Sequence, residues 1–375
     1  MTTSVMDRLG IDPAEVEEML ASNMTFPARW YSDPAIYQFE LERIFTRTWQ
    51  LAGPLHKLAN PGDFIVCQAA HIPIIVTRDL EGELHAFVNV CRHRAYPVAV
   101  EDGNRKMLRC KYHAWTYDLD GRLRKAPGCG LEDHFDKSEF SLVPVSVDTW
   151  NEFVFVNPDP NAPSFREAHP EFESMAAAHR LDFTGYRYYG QYTYEIPANW
   201  KVWVENATEC YHCPTIHAKS FADAFDVAQD VYEYVNVGQL LGQFTQYNPK
   251  ARIFKRNGGR TNTDFRFTYM WPTTFFAQDD LVAFPGMIIP TGPETCRFIA
   301  EMYVHPDCTE EEMAEWTEMY NQTLTEDSQA VQVQQPGLRS RMVPYGRLMP
   351  SRESAISHFH HMVWESISGA LAEDE

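Results

Sequence analysis

The sequence predicts an α+β protein in two parts, a small all-β domain and a larger domain of mixed helices and strands. Two observations carry this. From about Leu51 to Val156 the chain runs in short alternating or apolar segments, such as Phe64-Ile65-Val66 and Ile72-Pro73-Ile74-Ile75-Val76. Past Asn157-Pro158-Asp159-Pro160-Asn161-Ala162-Pro163, a loop or linker by composition, helical and strand patterns mix without an internal repeat.

Taken in order, residues 1–43 read as helical. Pro13 opens one amphipathic segment, and Asp33-Pro34 starts another in which Ile36, Phe39, Ile44 and Phe45 recur at helical spacing. Within the β region, Glu81-Gly82 and Asp120-Gly121 sit between apolar runs as hairpin turns. A further turn is expected at Asn257-Gly258-Gly259. Thr309 and Glu312 form a capping box ahead of a stripe of Met313, Trp316 and Tyr320, which marks the start of a late helix.

The β region carries Cys91, His93, Cys110 and His113 in the pattern C-x-H-x16-C-x2-H. Two short loop tips thus offer two thiolates and two imidazoles. That is the ligand set of a Rieske 2Fe–2S cluster, in which two Cys hold one iron and two His the other. Zinc is the rival, because Cys2His2 also suits a tetrahedral metal. Zinc fingers pair Cys with Cys and His with His, whereas each loop here gives one of each. The mixed order favours the cluster, and with it a protein built to carry electrons.

Composition narrows the partners. A chain of 375 residues can fill two cores, and its formal charge of -20 with pI about 5.1 argues against nucleic acid or an anionic membrane as partner. Met1-Thr2-Thr3-Ser4-Val5-Met6-Asp7 lacks a basic region followed by an apolar stretch, so no signal peptide is expected. No apolar run approaches the length that spans a bilayer, and the expected location is cytoplasmic. The eight Cys are not read as disulfides, since two are claimed as ligands and no dense framework is present. Cys67, Cys129, Cys296 and Cys308 read as buried or incidental thiols. His358-Phe359-His360-His361 lies in an apolar, aromatic stretch and reads as a packing helix, with no metal role assigned.

The second informative stretch is Asn199-Trp200-Lys201-Val202-Trp203-Val204-Glu205-Asn206-Ala207-Thr208-Glu209-Cys210-Tyr211-His212-Cys213-Pro214-Thr215-Ile216-His217. His212 and His217 near a helix end, with Pro214 turning the chain between them, can meet one metal. Two imidazoles and a carboxylate make the facial triad of non-haem Fe(II) oxygenases, which leaves coordination positions open for O2 and substrate. Alternatively the two His are ordinary residues of a polar loop. Cys210 and Cys213 also have zinc-knuckle spacing, although no second Cys/His pair lies nearby in sequence.

With both motifs in hand the chain resembles the Rieske non-haem iron oxygenases, in their large (α) subunit, over nearly its whole length. The resemblance rests on C91-R-H-R…C110-K-Y-H-A-W, on N199-W-K-V-x-V-E-N-x-x-E-C-Y-H-C-P-x-x-H217 and on T325-E-D-S-Q-A-V-Q-V-Q-Q-P-G-L338. It implies a Rieske domain over residues 44–158, with residues 1–43 and 159–375 forming a catalytic domain of antiparallel sheet and surrounding helices. It implies one 2Fe–2S cluster and one mononuclear Fe(II) per chain, the iron held by His212, His217 and Asp327, with Glu326 as the fallback carboxylate. Read without the resemblance, Asp327 is a solvated helix charge. Glu209 matches an acidic residue, usually Asp, that links the first iron-binding His to a cluster-ligating His of the neighbouring subunit. Ala114 stands where many members have Gly, and its extra methyl is expected to alter packing near the cluster more than ligation.

The resemblance implies reductive O2 activation. A separate reductase or ferredoxin supplies electrons, NAD(P)H acts only through that reductase, and a homotrimer is the least assembly suggested. The run Glu209-Cys210-Tyr211-His212-Cys213-Pro214 is most similar to members acting on quaternary ammonium compounds such as betaines, carnitine or choline, hydroxylated next to nitrogen with C–N cleavage or demethylation. An aromatic cage suits such a cation, and 9 Trp, 18 Tyr and 23 Phe make one available without revealing its members. Aromatic ring hydroxylation or O-demethylation is the alternative, and outside the enzyme class a Rieske electron carrier. A carrier needs only the β domain.

Overall fold

The computed structural model of the chain describes residues 9–248, 250–251 and 264–372; the Asn257-Gly258-Gly259 turn and the Met1–Asp7 segment lie outside them. The chain divides into two compact units, residues 45–168 and residues 1–44 with 169–375. No helix among the described residues is long and apolar enough to cross a membrane.

The smaller unit is built from ten strands. They are β1 (Gln50–Pro54), β2 (Asp63–Ala69), β3 (Ile72–Arg78), β4 (Leu84–Val88), β5 (Gly103–Asn104), β6 (Leu108–Arg109), β7 (Thr116–Tyr117), β8 (Leu123–Lys125), β9 (Pro144–Trp150) and β10 (Phe153–Asn157). Seven pair in the order β1-β10-β9-β4-β3-β2-β5, and β6-β7-β8 form a separate small sheet. Both expected hairpins are present. At Glu81-Gly82, Asp79 Oδ1 accepts the Glu81 and Glu83 N–H groups at 3.0 and 2.8 Å. Gly121 has φ 83°, and a Cβ there would lie 2.4 Å from Phe87 Cε1, so both turn and packing require glycine. Phe87 belongs to a core with Phe64, Ile75, Leu108 and Tyr117, which stiffens the base of both cluster loops.

The larger unit holds a second antiparallel sheet. Its strands are β11 (Arg187–Ile196), β12 (Glu233–Val237), β13 (Leu240–Gln246), β14 (Asp264–Met270), β15 (Thr274–Gln278), β16 (Val282–Gly292) and β17 (Thr295–Val304), in the order β11-β17-β16-β15-β14-β13-β12. Because side chains alternate along a strand, Phe265 and Phe267 on β14, Phe275 and Ala277 on β15, and Phe298 on β17 turn to one cavity. Gly286 on β16 pairs with Phe275, and a Cβ there would meet the Phe275 ring at 2.5 Å. Its absence lets that ring stack on Phe298 at 4.8 Å.

Helices close the unit: α1 (Pro13–Ala21), α2 (Pro34–Glu40), α3 (Trp200–Ala207), α4 (Cys213–Ile216), α5 (Glu310–Ser340) and α6 (Ser354–Ala372). Asp12 and Asp33 cap α1 and α2, each accepting an N–H at 2.9 Å ahead of a proline in the first turn. After α2 the chain widens into a π-turn over Leu41–Phe45 while Ile44 and Phe45 stay buried. The α5 capping box forms as read, with Glu312 N donating to Thr309 Oγ1 at 3.2 Å and Thr309 N to Glu312 Oε2 at 2.8 Å. Helix α6 carries the late His run, burying Phe359 and His360 and exposing His361.

Helix α3 is anchored from behind. Asn199 caps it through Lys201 N at 2.9 Å, and Gln335 of α5 accepts Asn199 N and donates to Tyr31 O. Lys201 and Glu40, both fully buried, meet at 2.5 Å, and Trp200 Nε1 donates to the same carboxylate at 2.9 Å. Burial lifts the Glu40 carboxyl above its usual range against the pull of Lys201, so the pair contributes little by itself, yet stranding one partner is costly. Glu40→Ala should therefore destabilise the protein by about 3–5 kcal/mol in denaturant unfolding, and Glu40→Met with Lys201→Met should recover most of that loss. A mild effect of the single change would show that water reaches Lys201.

Candidate metal centres

Two loop tips of the smaller unit repeat one backbone design. Ala95 N donates to Cys91 O and Ala114 N to Cys110 O, each at 3.0 Å. Cys91 N donates to Tyr96 O at 2.8 Å, and Cys110 N to Trp115 O at 2.9 Å. The matched turns bury both sulfurs, leave His93 and His113 exposed, and set the two imidazole centroids 4.5 Å apart. Trp115 stacks on His93 at 5.0 Å. Tyr117 Oη accepts Arg92 N at 3.0 Å, which leaves its proton for the Cys91 sulfur 3.3 Å away. Hydrogen bonds to sulfur and solvent exposure are the levers that set a cluster's potential. With the Cys110 thiol beside that of Cys91, the four donors fit a 2Fe–2S cluster held by Cys91, Cys110, His93 and His113.

Ala114 also bears on the backbone. It has φ 60°, and Ala95 has φ 56°, so each closes its turn in the left-handed region. The methyl group is therefore felt in the backbone, at about 1–2 kcal/mol, and glycine is favoured at such a position for that reason.

In the larger unit, α4 is a single turn between the two imidazoles. His212 stands at its N-cap, Pro214 lies in its first turn, and His217 is its C-cap. Asp327 arrives from α5. His212 Nε2 and His217 Nε2 lie 3.1 Å apart, and Asp327 Oδ1 is 2.9 Å from the second and 3.3 Å from the first. Ligands bound at about 2.1 Å and at right angles stand about 3.0 Å apart, so this triangle fits three facial positions of one metal ion. Glu326 is not in the triangle. Its Oε2 takes the other nitrogen of His217, Nδ1, at 2.8 Å, and also accepts from Ser220 Oγ at 2.5 Å. Glu209 does the same for His212 Nδ1 and accepts the Tyr211 and His212 N–H groups. Each imidazole thus has its own outer carboxylate, which orients the ring and raises its basicity.

Asp327 is 8 % exposed, not a solvated helix charge. Its position was legible in phase: it shares the buried stripe of α5 with Trp316, Leu324 and Val331, and a carboxylate on an apolar stripe needs a partner. The part Glu326 plays had no such signal.

The triangle borders a cavity whose walls include Trp203, Phe267, Phe275, Phe298, Trp316 and Tyr320. Polar groups are few, and Gln243 spends its amide on Tyr232 Oη and Ala207 O. Cys210 and Cys213 also border the cavity and are joined by a disulfide, which corrects both the reading that the cysteines form none and the zinc-knuckle alternative. The tight turn across Tyr211-His212 sets their Cα atoms 4.9 Å apart, within bridging range.

Protons and a metal compete for the triangle. Burial alone would lower the His212 imidazole, but hydrogen bonds to Asp327 and Glu209 raise it to about 10. His217 is raised too, against burial, by Asp327 and Glu326. Burial would lift Asp327, yet the two imidazoles hold its carboxyl down at about 2. A raised imidazole keeps its proton fully below its ordinary 6.5 and loses it as pH climbs toward about 10. Metal affinity of chelator-stripped protein should therefore rise across that window in calorimetric Co(II) titrations. Glu326→Gln should weaken binding about 10- to 100-fold, and Asp327→Asn more. A pH-independent affinity would refute the competition.

Comparison with known proteins follows the same division. The Rieske [2Fe-2S] domain family matches residues 48–135, and the ring hydroxylating alpha subunit (catalytic domain) family matches residues 183–369. The carnitine monooxygenase oxygenase subunit of Acinetobacter pittii is 31% identical over 350 residues, covering 90% of this chain and 94% of that protein. Choline monooxygenase, chloroplastic, of Spinacia oleracea is 28% identical, covering 90% and 76%. Among solved structures, the quaternary ammonium Rieske monooxygenase CntA in complex with L-carnitine superposes with TM-score 0.81 at 29% identity, over 93% of this chain and 98% of that one. Naphthalene 1,2-dioxygenase from Rhodococcus sp. shares the fold at TM-score 0.77 and 18% identity, over 97% and 99%. The chain is an oxidoreductase and belongs to the Rieske non-haem iron oxygenases, as a large (α) oxygenase subunit.

Proposed function

We propose that this oxygenase hydroxylates a small quaternary ammonium compound at a carbon next to nitrogen, with loss of an amine or of a methyl group as aldehyde. The observation that carries this reading is the triangle of His212, His217 and Asp327 at the edge of an aromatic cavity. When bound, the mononuclear iron supplies O2 activation and the 2Fe–2S cluster supplies single electrons. Cys91, Cys110, His93 and His113 hold the cluster, and His212, His217 and Asp327 hold the iron. The aromatic walls suit a quaternary ammonium group, and Glu209 and Asp327, the carboxylates at the cavity, suit its charge. The names of the carnitine and choline monooxygenases among the relatives support the same substrate class over a ring substrate.

The chain's own groups perform three tasks. Asp327 and the two imidazoles present lone pairs to one point while Glu209 and Glu326 hold the Nδ1 protons on the outer side. The aromatic walls exclude water. Glu209 leaves one lone pair on Oε1, because its other acceptor sites take His212 Nδ1 and two backbone N–H groups. That lone pair is the acceptor for a cluster-ligating His of a neighbouring subunit in a homotrimer. A separate reductase or ferredoxin is the electron source, with NAD(P)H upstream of it, in the cytoplasm.

A single turnover tests the substrate class without the reductase. Chemically reduced protein, mixed with oxygenated buffer and betaine, carnitine, choline and several aromatic acids, should release amine or demethylated product by mass spectrometry. Ring-hydroxylated product would replace this reading. For the bridge, Glu209→Gln, assayed with enough iron to keep the mononuclear site filled despite a weaker hold on His212, should cut reductase-driven turnover about 10- to 100-fold. Full activity would remove the bridge.

A further inference from the structure

Cys213 lies immediately after His212, and both Cys210 and Cys213 are only 4 % exposed. Its sulfur is 4.0 Å from His212 Nε2, and it forms with His212 and His217 a group whose donor atoms all lie within 4.8 Å of one another. The Cys213 sulfur therefore lies close to the position of a metal ligand, yet it is spent in the bond to Cys210. A thiolate bound at about 2.3 Å and at right angles to an imidazole at about 2.1 Å would lie about 3.1 Å from that nitrogen. The observed separation exceeds this by about an ångström, the reach of a side-chain rotation that the disulfide forbids.

We infer that the Cys210–Cys213 pair is a redox-gated ligand site on the mononuclear metal centre. In the oxidised form the disulfide withholds the Cys213 sulfur, and the metal sees two imidazoles and Asp327. A dithiol reductant breaks the S–S bond, delivering two electrons and two protons and leaving as its own disulfide, so that both cysteines become thiols. The Cys213 thiol then gives its proton to solvent and its sulfur to the metal. It takes one of the positions that O2 and substrate need, and it makes the site softer, which favours zinc over iron. Tyr234 Oη accepts the Cys210 N–H at 3.1 Å, so the Cys210 end of the turn stays pinned while Cys213 moves. Disulfides persist poorly in reducing surroundings and serve there chiefly as switches. The inference rests on the reading of His212, His217 and Asp327 as a metal triad.

The test exchanges the mononuclear metal for Co(II) in cluster-loaded protein and reads cobalt-edge X-ray absorption, to which the cluster sulfurs are invisible. Peptide mapping in parallel should find Cys210 and Cys213 linked before dithiol treatment and free after it. The expected result is no sulfur neighbour at about 2.3 Å in untreated protein and one sulfur after reduction. Cys210→Ser should show that sulfur without reductant, and Cys213→Ser should never show it. Wild-type protein before and after reduction decides the matter even where Cys210→Ser fails to fold. Unchanged coordination on reduction would make the disulfide a loop staple and overturn the gate. Free thiols in untreated protein with no sulfur at cobalt would overturn it as well. Failure of every form to bind cobalt would instead remove the triad, and the gate with it.

Discussion

The larger unit is organised around one buried carboxylate. Asp327 enters an apolar helix stripe, where an unpaired charge would be expelled or neutralised. Two imidazoles from the turn at 212–217 make its burial tolerable and tie that turn to α5. The arrangement has two layers. Inner atoms converge within about 3 Å, as a metal requires, while Glu209 and Glu326 face the outer nitrogens and fix each ring's orientation.

That convergence is held from behind by the scaffold. Gln335 joins α5 to the N-cap of α3, and the Glu40–Lys201 pair roots α3 against α2. On the opposite side the sheet supplies an aromatic face that depends on glycine at 286, since a methyl group would displace the Phe275 ring. Charge and hydrogen bonding thus lie on the helical side of the cavity, while ring surface comes from the sheet and from Trp203, Trp316 and Tyr320 of the helices. This suits a site that binds a metal on one side and the proposed organic cation beside it.

The two centres differ in how they treat their histidines. At the candidate cluster site His93 and His113 are exposed while the sulfurs are buried, so the imidazole edge is the face turned outward. At the mononuclear site His217 is buried, and both imidazoles are engaged on both nitrogens. Exposure favours passing electrons across a surface, and enclosure favours chemistry away from bulk water.

What the sequence determined by itself was whatever local chemistry encodes. The spacing of Cys91, His93, Cys110 and His113 defines two loop tips, the Asp-Pro and Thr309/Glu312 signals start helices, and Glu81-Gly82 and Asp120-Gly121 turn hairpins; each depends on neighbours within a few residues. The division of labour between Asp327, on the inner imidazole nitrogens, and Glu326, on His217 Nδ1, was decided by the tertiary structure, because the phase of α5 says which carboxylate faces inward but not what either one meets. The same holds for the cavity walls, drawn from helices and strands between residues 203 and 327, and for the left-handed backbone at Ala114. The Cys210–Cys213 bond belongs with them. Its spacing permits a bridge, a knuckle or two thiols, and the geometry of one turn selects the bridge, because it sets the two Cα atoms 4.9 Å apart.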